Sequence, residues 1–165
     1  MSKDNQINDT LRCYFFGVTT DDQNEESLRG LSGFAIPDLG IVYKNTFEGT
    51  LHQCQYNGLL TLLRFVNNNM KSFRGFEFEI FSDAAVVVYQ LNHHKSLSRG
   101  LREPYNAVIG YKSKIPFKTS WIPRHENQAI SGLLESPPFN PDIEIKFEDK
   151  RYSDIDRMGK GQIGQ

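Results

Sequence analysis

Cysteine is scarce in this 165-residue chain, and its two copies, Cys13 and Cys54, stand far apart. No short-spaced pair suggests a zinc site, and one distant pair makes no disulfide framework. Two buried free thiols are the expectation. Long apolar runs are also absent. No stretch approaches the roughly 18 residues a membrane span needs. The polar opening residues 1–10 lack the apolar core of a secretory signal. A soluble, intracellular, cytoplasmic protein with no membrane contact is therefore expected. An excess of charge of either sign is missing too, since the formal net charge is −1. A dedicated nucleic-acid binder usually shows a basic excess or stripe, so binding of that kind would have to come from a local patch. No internal repeat or low-complexity tract occurs.

What is present suits one globular domain. Hydrophobic residues make up 38% and charged residues 24%, the balance of a soluble fold. A chain of this length buries a core without staples. Residues 11–18 (LRCYFFGV) read as a central strand buried on both faces. Residues 19–29 are polar and acidic and read as a loop. Residues 31–37 and 40–47 read as two further strands around the turn Pro37-Asp38-Leu39-Gly40, which completes an antiparallel meander.

The period then changes. Leu51, Cys54, Gly58, Leu59, Leu62, Leu63 and Val66 recur at three- and four-residue steps, which predicts an amphipathic helix over 50–68. Thr50 is its expected cap. Residues 76–81 (FEFEIF) alternate and read as a fourth strand with one covered face. Residues 84–91 read as a short helix, and Asp83 before it suits an N-cap. Leu101, Tyr105, Val108 and Ile109 share a helical face, with Pro104 tolerated near its start. Residues 117–122 read as a fifth strand, with Trp121 expected in the core. Residues 126–135 read as a last helix, with Ala129, Ile130, Leu133 and Leu134 inward. Ile143, Ile145 and Phe147 alternate as an extra strand or strap would, and residues 150–165 read as a flexible tail. The division is a polar arm over 1–10, a domain over 11–136 and an extension over 137–165.

Three local motifs give this order a likeness. Residues 80–91 (IFSDAAVVVYQL) resemble a "strand, S-D-S, helix" block. Residues 54–60 (CQYNGLL) resemble an "A-E-Y-x-A-L" stretch, and residues 121–127 (WIPRHEN) resemble "V-P-R-E-E-N". Together they resemble the ribonuclease H superfamily, in its compact variety without a long basic insertion. The resemblance implies an α/β fold, a mixed five-stranded sheet of three antiparallel and then two parallel strands, flanked by helices.

It also implies a site. In that family four carboxylates grip two magnesium ions, which activate a water and steady the leaving oxygen of the phosphodiester. Carried over one position at a time, the first aspartate falls on Phe16, the helix glutamate on Gln55 and the last aspartate on Ser131. Only the acid at Asp83 is kept. Glu135, one turn after Ser131 and about 5–6 Å along the same face, is the best substitute. Asp21 and Asp22 lie some ~15 Å along an extended chain from Phe16. No acid occurs between Leu11 and Thr20, so a shifted alignment rescues nothing.

Other polar residues carry two readings each. Gln55 suits a hydrogen-bonding position at the core edge. His93-His94 cannot face one way on a helix, so metal is not expected there. His125 falls where the family has a loop assisting product release, and an exposed loop histidine reads equally. Lys95, Arg99, Arg102, Arg124 and His125 are the candidate phosphate contacts, and Lys112, Lys114 and Lys118 form a second basic set. Phosphate binding needs several such contacts on one face. The acids at Asp21, Asp22, Glu25 and Glu26 oppose it.

The expectation is a ribonuclease H-like pseudo-nuclease that does not cut and needs no cofactor. It would serve as a scaffold for a protein partner, or as a module for an RNA–DNA hybrid or structured RNA. The alternative is a hybrid-cutting ribonuclease with an altered site at Asp83 and Glu135, using Mg2+ or Mn2+.

Overall fold

The computed structural model describes residues 9–19, 29–93 and 99–131, with only the backbone described at Arg99 and Ser131. The strands are β1 (Asp9–Thr19), β2 (Arg29–Ile36), β3 (Ile41–Glu48), β4 (Phe76–Ser82) and β5 (Phe117–Trp121). The helices are α1 (Leu51–Asn68), α2 (Ala85–His93), α3 (Arg102–Lys112) and α4 (Gln128–Ser131). Short 3-10 turns stand at Pro37–Leu39, Arg99–Leu101 and Arg124–Glu126. The extension over 137–165, its alternating Ile143, Ile145 and Phe147, and the acidic loop residues 20–28 lie outside the described residues.

The sheet order is β3-β2-β1-β4-β5. β1 pairs β2, and β2 pairs β3, antiparallel. β1 pairs β4, and β4 pairs β5, parallel. The chain therefore has the mixed sheet that the resemblance implies, with β1 at its centre. Alternation along β1 sends Leu11, Cys13 and Phe15 to one face and Tyr14 and Phe16 to the other. The first face meets Leu59, Leu62 and Leu63 of α1 and Val108 of α3 in the main core. The second holds a smaller cluster of Tyr14, Phe16, Ala35 and Ala129. Each large apolar side chain fully buried in this way contributes about 1.5–3 kcal/mol.

α1 starts as its sequence predicts. The Gln53 N–H donates to Thr50 Oγ1 at 3.3 Å, and the Thr50 N–H donates to Gln53 Oε1 at 3.0 Å. This reciprocal box satisfies two otherwise orphaned donors. At the other end Asn69 Nδ2 donates to the Phe65 carbonyl at 2.8 Å. Pro104 lies in the first turn of α3, where its missing N–H costs least. No described helix is long and apolar enough to cross a membrane.

Three expectations need correction. The last helix does not begin at Glu126, which closes a 3-10 turn. α4 begins at Gln128, and Asn127 Oδ1 accepts from the Ala129 N–H at 3.1 Å as its cap. The side chain that caps the start of α2 is Ser82, not Asp83, since Ser82 Oγ accepts from the Ala84 N–H at 3.2 Å. Trp121 is not core. It ends the edge strand β5 and is 55% exposed. Leu133 and Leu134 lie outside the described residues.

Candidate functional site

The carboxyl end of β4 stands beside Phe15 and Phe16 of β1, because these strands are parallel neighbours with Tyr14 level with Phe81. That end carries three of the four positions singled out in the sequence. Phe16 is fully buried on β1, against Tyr14, Ala35 and Ala129. Gln55 is buried in the first turns of α1, with Oε1 3.2 Å from His52 Nδ1. Asp83 follows β4 and is half-buried. The fourth position, Ser131, closes α4, the helix whose Ala129 covers Phe16. Glu135 lies outside the described residues.

Gly17 explains how α1 comes so close. A Cβ there would stand 2.4 Å from the Gln55 backbone nitrogen. Only glycine lets the helix lie on the strand at this point.

Asp83 is held by a neighbour. Asn127 Nδ2 donates to Asp83 Oδ1 at 2.8 Å and to the Phe15 carbonyl at 2.9 Å. Ser82 Oγ donates to the same carbonyl at 2.7 Å. Both lone pairs of that oxygen are thus used, and the middle of β1, the end of β4 and the start of α4 are tied at one atom. Asn127 and Ser82 were not assigned these roles from sequence. A signal for Asn127 existed, since an asparagine directly before an apolar helical run is a favoured cap.

Among the described residues the donors around Asp83 do not by themselves make a two-magnesium site. Such a site needs several carboxylates converging on the ions. Here Asp83 stands with a phenyl ring, a carboxamide and an amide donor. Among the described residues no three His, Cys, Asp or Glu side chains converge where a metal ion could be held.

The basic residues divide between two ends. Arg102 is exposed at the start of α3, after the Arg99–Leu101 turn. That turn sits by the start of α1, where Gln53 Nε2 donates to the Gly100 carbonyl at 3.3 Å. Lys112 ends α3 and Lys114 lies just past it, and Lys112 Nζ is 5.5 Å from the Phe117 ring centre. Lys118 stands level with Glu79 on the neighbouring strand. Lys95 lies outside the described residues. Among the described residues, Arg102 and Lys112 stand at opposite ends of α3.

Arg124 and His125 are exposed on the turn after β5. His125 borders a groove of about 460 Å³ over Tyr14 and Phe81, whose walls include Arg12, Glu79 and Glu126. The carboxylates of Glu79 and Glu126 there oppose a phosphate.

Both cysteines are free and buried. Burial pushes the Cys54 thiol up to about 11, and a backbone hydrogen bond with Val18 offsets part of the rise. Burial, with a smaller contribution from Asp38, pushes Cys13 higher still. Neither thiol is activated as a nucleophile.

Solved structures share this architecture. Ribonuclease H1 of the halophilic archaeon Halobacterium salinarum is 20% identical, with a TM-score of 0.56, over 73% of this chain and 90% of that one. The N-terminal ribonuclease H domain of a Mycobacterium tuberculosis protein is 18% identical, with a TM-score of 0.55, over 71% of this chain and 86% of that one. LC11-RNase H1, solved in complex with an RNA/DNA hybrid, is 16% identical, with a TM-score of 0.56, over 72% of this chain and 88% of that one. LC11-RNase H1 was isolated from compost by a metagenomic approach. No family model and no curated protein matches the sequence. The chain has the ribonuclease H-like fold.

Proposed function

We propose that this ribonuclease H-like domain is a binding module that does not cut nucleic acid. The reading rests on Phe16. Its ring is fully buried at the position to which the resemblance assigns the first carboxylate. A phenyl ring offers a metal no lone pair, and a charge in its place would be buried without a partner. Gln55 is engaged by His52 and Asp83 by Asn127, which supports the same reading.

A protein partner is favoured over a nucleic acid. The net charge is −1, and the basic residues are divided between two ends. A phosphate backbone needs several cations along one track. The free buried thiols Cys13 and Cys54 suit a reducing, cytoplasmic setting.

The test is incubation of the purified full chain with an RNA–DNA hybrid and Mg2+ or Mn2+. No cleavage is expected with either ion. Cleavage that Asp83→Asn abolishes would overturn the reading and select the altered nuclease built on Asp83 and Glu135. Salt-sensitive hybrid binding without turnover would keep the module and make nucleic acid its partner.

A further inference from the structure

The turn between α1 and β4 meets the loop before β5 at the amino ends of β4 and β5, away from Asp83. A pocket of about 330 Å³ opens there, lined by Met70, Lys71, Phe73, Arg74, Phe76 and Pro116. We propose that this pocket docks an acidic peptide segment of a partner protein, with one apolar side chain inserted between Lys71 and Arg74. The proposal deepens the reading of the domain as a binding module, yet it concerns a different end of the molecule.

The floor is apolar and preformed. Phe73 is buried beneath it. Its ring meets Phe65, Phe76 and Phe78 edge-on, at 6.0, 6.1 and 5.4 Å between centres. Edge-to-face contacts of this kind fix ring orientation. An entering side chain therefore finds a shaped surface and has little to reorganise. The volume is at the low end for ligand pockets, about 300–1,000 Å³, which suits one anchoring side chain.

The rim is cationic and unspent. Lys71 and Arg74 are exposed on the turn, and Lys114 is exposed two residues before Pro116. Among the described residues none of these three is in an ion pair. Strand alternation explains why nearby acids do not neutralise them. Phe76 and Phe78 face the helices, so Glu77 and Glu79 project from the opposite face of the sheet. Asp9, level with Phe76 on β1, is already engaged. A carboxylate-rich segment complements this rim, and its apolar residue complements the floor. A nucleic acid fits less well, because the floor's main ring, Phe73, is too buried to stack on a base.

The test is amide NMR of the isotope-labelled full chain. Three hexapeptides serve as probes: DDEFDD, DDEGDD without the anchor, and KKRFKK with reversed charge. An oligouridylate is the fourth probe. DDEFDD is expected to shift the amides of residues 70–76 and 114–115. The other two peptides are expected to bind at least tenfold more weakly. Lys71→Glu with Arg74→Glu, both exposed and tolerable to the fold, is expected to weaken DDEFDD at least tenfold. No shift at residues 70–76 with millimolar DDEFDD overturns the proposal. So does equal binding of KKRFKK, or a response at those residues to oligouridylate alone. Shifts there that depend only on protein concentration would overturn it in favour of a second copy. The cleavage assay reads none of these outcomes, so the two readings fail separately.

Discussion

Asn127 Nδ2 lies 2.8 Å from Asp83 Oδ1, across 44 positions of sequence, and 2.9 Å from the Phe15 carbonyl, across 112. One buried amide thus joins the start of α4 to the end of β4 and the middle of β1. Asn127→Ala removes both bonds and the cap on Ala129. Leaving buried polar groups short of a partner costs about 1–3 kcal/mol. Chemical denaturation of the variant should show a midpoint lowered accordingly with an unchanged slope.

Phe16→Asp restores an acid where the resemblance places one. It also puts an unpaired carboxylate among Tyr14, Ala35 and Ala129. Removing a buried phenylalanine alone costs about 3–5 kcal/mol. The variant should be largely unfolded by circular dichroism and gain no hybrid cleavage with Mg2+ or Mn2+. A folded variant that cleaves would show that the site needs only this one change.

Gly58 and Gly110 should respond to alanine with opposite signs. A Cβ on Gly58 would lie 2.4 Å from the Phe16 carbonyl oxygen and 2.9 Å from that of Gly33. Both are backbone atoms of the sheet, so α1 must move. The overpacking cost, about 1–3 kcal/mol, outweighs the helix preference for alanine of about 1 kcal/mol. Around Gly110 in α3 nothing lies within 4 Å of an added Cβ. Gly110→Ala should stabilise by about 0.4–1 kcal/mol. Thermal melts of the two variants should move in opposite directions.

Alkaline pH should destabilise the fold. Burial holds the Cys54 thiol at about 11, while an unfolded thiol ionises near ~8.5. The folded chain keeps a proton that the unfolded chain gives up, so this contribution is complete below about pH 8.5 and is lost as pH rises to about 11. Cys13 and Tyr56, both raised chiefly by burial, act in the same direction. Urea midpoints at pH 7, 9 and 10.5 should fall in that order. Cys54→Ala should reduce the fall.

Much of this architecture is legible in residue spacing. The three- and four-residue recurrence from Leu51 to Val66 gives α1, and the Thr50 cap stands where the sequence puts it. FEFEIF gives β4 with its acids outward. The misses share a cause, which is that a neighbour distant in sequence decides them. Trp121 has a core residue's chemistry, but β5 is an edge strand and nothing described covers its last position. Asp83 has a cap's chemistry, but Ser82 reaches the backbone first and Asn127 takes the carboxylate. Lys71 and Arg74 look like ordinary turn residues until the α3–β5 loop closes beside them. For the candidate site, spacing marks Phe16, Gln55 and Asp83 as neighbours of one strand end. It does not reveal that Asn127 binds that end together.

The parallel strands β1, β4 and β5 give the molecule two poles. β4 has seven residues, so at ~3.3 Å per residue the poles lie about 20 Å apart. The screening length at physiological ionic strength is about 8 Å. A polyanion at the Lys71–Arg74 pole would therefore scarcely alter the potential at the Asp83 pole. The Asp83 end is thus electrically insulated from any charge held at the Lys71–Arg74 end.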